Sequence, residues 1–91
     1  SPRLLTVIWR TKSGKVAGHV VCLCTAPGKT LFHVGNWGVV ADIVDLREAC
    51  SDMAGRIDAD VVLGWGILTK DLTIVHHGQG LPEPGYDGSI L

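Results

Sequence analysis

The sequence predicts an α+β domain in which a single sheet of about four strands is covered on one face by one long amphipathic helix. Two observations predict it. Short apolar, β-branched runs bounded by turn residues lie at both ends of the chain. Between them Val39, Ile43, Leu46, Cys50, Met53 and Ile57 follow at steps of four and three, one continuous stripe on a helix of about 3.6 residues per turn. The order strand, strand, helix, strand, strand is that of a helix layered on a sheet.

Each element has its own local reason. Leu4 to Trp9 is apolar and partly β-branched, and Lys12-Ser13-Gly14-Lys15 gives it an exit turn. Val16 to Cys24 reads as a second, more buried strand, closed by Ala26-Pro27-Gly28-Lys29, where proline fixes φ and glycine opens positive φ. Thr30 to Val34 reads in two ways, as a strand or as a helix start with Thr30 as N-cap, and Asn36 is a second competent N-cap. Asp42, Asp45, Glu48 and Asp52 fall opposite the apolar stripe, on the solvated side of the expected helix, which Asp58-Ala59-Asp60 ends. Val61 to Leu68 is apolar throughout, the mark of an interior strand buried on both faces. After Thr69-Lys70-Asp71 comes Leu72 to His76, close enough for an antiparallel hairpin. Residues 1–78 therefore read as the domain, and 79–91, rich in glycine and proline, as a loop or tail.

Composition narrows the function. Ninety-one residues suit one core, and 46% apolar against 19% charged residues excludes a disordered chain. No apolar run approaches the roughly 20 residues that span a bilayer. Eight Lys and Arg against nine Asp and Glu, scattered along the chain, make no basic stripe, so nucleic acid is not an expected partner. Three cysteines without a signal region point to a reducing compartment. A mean hydropathy of +0.29 is high for so small a domain. The chain is accordingly expected to be a piece of something larger, with apolar surface that lies against a missing part.

The candidate chemistry is thin. Gly28-Lys29-Thr30 ends like a phosphate-binding loop, but the glycine that motif needs five positions earlier is Leu23, so an ordinary turn is the reading. Cys22 and Cys24, two apart on a strand, share a face and with His19 or His76 give a thiolate and imidazole inventory for a metal or thiol enzyme. Their spacing is not that of a zinc knuckle, and small buried cysteines are commoner. His76 and His77 point to opposite faces of their strand. Asp42, Asp45 and Glu48 on the helix, with Trp37 and Trp65, are the candidate partner contacts, against the plain alternatives of a solvated face and packing residues. No catalytic, cofactor-binding or metal-binding residue is assigned.

Taken in order, several segments resemble the C-terminal domain of the FtsZ division GTPases of the tubulin superfamily. They are Gly18-His19-Val20-Val21-Cys22-Leu23, Thr30-Leu31-Phe32-His33-Val34, Ala59-Asp60-Val61-Val62-Leu63-Gly64-Trp65-Gly66 and Leu72-Thr73-Ile74-Val75-His76-His77-Gly78, with Ser1-Pro2 before Leu4-Leu5. The resemblance implies a mixed sheet, Thr30 as N-cap and a helix from about Leu31. The family's strand end is Cys22-Leu23-Cys24-Thr25-Ala26 here, its capping Glu is His33 and its closing Ala-Thr is His76-His77. These departures are those of a divergent FtsZ-like chain, a class that includes a plant plastid-division regulator with MORN repeats. The nucleotide-binding half of that superfamily is absent from these residues. What the resemblance implies is a non-catalytic domain without a cofactor that contacts FtsZ or another division protein, or itself, and modulates division-ring assembly. Its implied location is the chloroplast stroma in a plant and otherwise the cytoplasm.

Overall fold

In the computed structural model, which describes residues 2–86, the first four strands run as a meander. β1 (Arg3–Thr11) and β2 (Val16–Thr25) are joined by a turn closed by Thr11 N to Lys15 O at 2.8 Å. β3 (Leu31–Gly35) follows a second turn, closed by Ala26 N to Thr30 O at 2.8 Å, in which Gly28 and Lys29 both take positive φ. Gly28-Lys29-Thr30 thus feeds a strand and not the helix N-terminus that a phosphate loop requires. β4 (Gly38–Ile43) returns after Asn36 and Trp37. The helix α1 (Leu46–Arg56) then crosses the sheet, and β5 (Ala59–Leu68) and β6 (Ile74–Gln79) form the last hairpin. The order is β4-β3-β2-β1-β5-β6, and every neighbouring pair is antiparallel.

This corrects the expected fold. The sheet has six strands and not about four, it is antiparallel and not mixed, and the helix has 11 residues. Leu31 to Val34, which the resemblance made the helix start, is β3. Val39 and Ile43, the first two residues of the apolar stripe, lie on β4. The physical reason is that a step of four is even: it repeats on one side of a strand, at period two, as well as on one side of a helix. Gly35 and Gly38 pair across the β3–β4 turn, and Val39-Val40 prefers extended chain. Helix begins only where a cap starts it. Asp45 accepts from Glu48 N at 2.8 Å, and the Glu48 carboxylate reaches back to accept from Val44 N at 3.0 Å.

One face of the sheet is closed by α1. Leu46, Ala49, Cys50 and Met53 pack onto Leu5 and Val7 of β1, Val21 and Leu23 of β2, Leu31 of β3 and Ile67 of β5, all at or near zero exposure. The chain after β6 returns to the start of the helix: Pro82 is buried and its carbonyl accepts from Arg47 Nη1 at 3.0 Å, and Leu46 N donates to Tyr86 O at 2.7 Å. Of the tail at 79–91, residues 87–91 lie outside the described residues, as does Ser1. Among the described residues no helix is long and apolar enough to cross a membrane.

Candidate functional site

The acidic residues named as partner contacts are engaged in local structure. Asp45 caps α1 through Oδ1, and its Oδ2 accepts from Gly85 N at 2.9 Å. Glu48 completes the reciprocal cap, where negative charge also suits the helix dipole. Asp42 is not on the helix; it sits at the irregular end of β4 with φ of 62°, a conformation aspartate tolerates better than most residues. Trp65 is buried on β5, its ring edge against Tyr86 at 5.6 Å between centroids.

Trp37, at the β3–β4 turn, bends back over the helix-side face. Its ring lies 4.7 Å from that of His19 and 6.2 Å from that of His33, with the Arg56 guanidinium 5.7 Å away. Beneath it His33, fully buried, donates from Nε2 to Asp52 Oδ2 at 3.1 Å, and Arg56 Nε donates to the same oxygen at 2.8 Å. A histidine oriented by a carboxylate is half of a nucleophile-activating arrangement. Its other nitrogen, Nδ1, is buried without a partner. Burial pushes the Asp52 carboxyl upward, but the hydrogen bonds and charges of Arg56 and His33 outweigh it and hold the group below its ordinary value. A lowered value in the folded state means stabilisation present above roughly pH 4 and lost as pH falls through that lowered value. Urea midpoints measured from pH 6 to pH 3 are expected to fall less steeply for Asp52→Asn than for the unaltered chain. Parallel curves would mean that the network contributes nothing to acid stability.

The inventory for a metal or thiol enzyme is divided between faces. Register places His19 opposite Val7 and His76 opposite Ile67, on the helix side, while Cys22 opposes Leu4 on the other. The Cys22 and Cys24 sulfurs lie 3.8 Å apart, half-buried, and His76 Nδ1 shares a 3.1 Å hydrogen bond with the Tyr86 hydroxyl. Burial, then the Cys22 hydrogen bond and charge, raises the Cys24 thiol, and burial pushes Cys50 up to about 12. Among the described residues no three His, Cys, Asp or Glu side chains are grouped to hold a metal ion.

The uncovered apolar surface expected from the mean hydropathy, to which the sequence assigns no place, lies on the side of the sheet away from α1. An antiparallel sheet with one packed face ordinarily carries polar residues on the other. Here cross-strand pairing lines up Val39, Val34, Cys22, Leu4, Leu68 and Ile74, one apolar residue from each of the six strands, in a single row. A second row runs Val20, Thr6, Gly66 and His77, and a third Gly18, Ile8, Gly64 and Gln79. Val16 and Val39 are about two-thirds exposed, at 67% and 66%. The signal was present in the sequence: β2 and β5 are apolar at both odd and even positions, and the structure covers only one of those sets. Thr6, Ile8, Val16, Gly18 and Val20 line a shallow depression in this surface.

Comparison with known proteins adds no relative: no protein-family model matches the chain, and neither does any curated protein or any solved structure.

Proposed function

We propose that the chain is a non-catalytic protein-interaction module whose working surface is the uncovered face of its sheet. The observation that carries the reading is the apolar row from Val39 to Ile74, which spans all six strands and on which no helix or strand packs among the described residues. Contiguous apolar surface of this kind marks interaction sites, since water contact with it is unfavourable. The chemistry elsewhere supports the same reading. The histidine oriented by a carboxylate, His33, is buried beneath Trp37, and burial raises the thiols of Cys24 and Cys50 above their ordinary value. An FtsZ-type polymer as the partner rested on residue matches whose implied mixed sheet the chain does not have, so the proposal stops at the surface and the class of partner.

The test separates a working surface from a structural one. A Val20→Thr, Val39→Thr, Ile74→Thr variant keeps β-branching at all three sites and removes apolar contact at residues more than half exposed. Its unfolding free energy, measured at dilutions where the midpoint no longer depends on protein concentration, is expected to stay within about 0.5 kcal/mol per site. A loss above about 1 kcal/mol per site would make the face a part of the fold's own stability and would overturn the reading.

A further inference from the structure

The interaction reading leaves its partner open, and resting on that reading we propose that the partner is a second copy of this chain, packed sheet face to sheet face about a two-fold axis. Three observations on the surface converge on it.

The first is charge. Among the described residues the three rows of the open face hold no Lys, Arg, Asp or Glu, and Arg10 lies beyond them at one end of β1, where it pairs with Val16 and Val61. A two-fold contact sets each patch against itself, so a patch of one sign repels its own copy. Over those three rows no charge is set against its own copy.

The second is area. Six strands of 5 to 10 residues, spaced about 4.8 Å apart, present a face on the order of 600 Å². Two such faces remove about 1,200 Å² from water, which is the lower bound of stable association. The size fits one further sheet of the same dimensions, and aligned sheets stack at about 10 Å.

The third is Gly18. It lies inside β2 with an ordinary backbone conformation, and a Cβ built on it would meet Val7 O at 3.6 Å and Ile8 Cγ1 at 3.9 Å, both normal contacts. Nothing among the described residues requires glycine there, although glycine inside a strand is a poorer choice than alanine. The hollow it leaves beside Ile8, itself 42% exposed, faces outward, and a strand glycine of this kind marks close approach by another backbone or ligand. Knob and hollow stand side by side, so a two-fold axis between them inserts Ile8 of each copy into the hollow beside Gly18 of the other.

Sedimentation equilibrium of the full chain from about 1 to 200 μM reads the association directly, and the small area predicts a dissociation constant on the order of micromolar. The chain is expected to form dimers. Gly18→Val, which fills the hollow with a strand-favouring side chain, and Val20→Lys, which sets a charge against its own copy, are each expected to weaken the dimer at least about 30-fold. Far-UV circular dichroism verifies that both variants fold, and two variants guard against either one failing. A chain that stays monomeric at 200 μM overturns the proposal. So does a dimer indifferent to both substitutions, because it would form through another surface such as the free edge of β4 or β6. A monomer whose threonine variant keeps full stability overturns only the second copy and leaves the face to a different protein. A monomer that the same variant destabilises ends both readings.

Discussion

Met53→Ala is expected to lower the unfolding free energy by about 2–5 kcal/mol, read from urea midpoints at constant slope. The size of the effect follows from how little holds the helix down. Four residues of α1 are buried, and two of them, Ala49 and Cys50, are small. Leu46 and Met53 therefore carry most of the apolar area that joins helix to sheet, one near each end of an 11-residue element. A helix of that length is not stable alone in water and exists because its apolar side is packed. Met53 is at zero exposure, and its carbonyl accepts from Ile57 N at 3.2 Å, where the helix stops. Truncation leaves a cavity beneath the last turn. Domains of this size are stable by roughly 5–14 kcal/mol, so the substitution removes a large share of the total. Ser51→Ala, on the exposed side of the same helix, is the matched control and is expected to change stability by less than about 0.5 kcal/mol. A Met53→Ala effect as small as the control's would mean that the helix is held elsewhere.

The same helix shows where sequence reading succeeded and where it could not. Leu46, Cys50 and Met53 were assigned to a buried helical side, and they form one. Val39 and Ile43 joined the same periodic series but belong to β4, because even spacing does not distinguish a strand from a helix. What separates them is local. Gly35-Asn36-Trp37-Gly38 permits a two-residue turn, and Asp45 with Glu48 forms a cap that starts the helix three residues after Ile43. Read as an acidic face, Asp45 and Glu48 looked like partner contacts; read as a cap, they would have placed the helix start. The strands from Leu4, Val16 and Val61 were legible from β-branched composition. The uncovered face was half legible. Val61 to Leu68, apolar on both sides, leads to the expectation of burial on both faces, but the structure covers one face of β5 and leaves Val61 40% exposed. The three aligned rows appear only once register is known, since a shift of one residue would exchange the faces.

Gly78→Ala is expected to cost about 1–3 kcal/mol, the range for forcing a methyl group into filled space. Gly78 on β6 opposes Trp65 on β5, and a Cβ there would stand 2.7 Å from Trp65 Nε1 and 3.0 Å from Cε2. The indole has nowhere to yield. It is 8% exposed and its edge meets Tyr86, whose hydroxyl is bonded to His76 and whose carbonyl accepts from Leu46 N. Displacing the ring therefore disturbs the segment that closes over the start of α1 as well as the β5–β6 pair. Hydrogen exchange at the Leu46 amide is expected to speed up along with the fall in the urea midpoint. Gly18→Ala supplies the opposite case within the same sheet. Its new methyl would touch nothing closer than 3.6 Å, so at dilutions that keep the chain monomeric it is expected to be neutral or stabilising by up to about 1 kcal/mol. Both glycines lie inside strands, and only one lies under an indole. If the two alanine variants behaved alike, backbone freedom would govern these positions and not the ring above Gly78; opposite signs would show that Gly78 is fixed by the fold and that Gly18 is free of it.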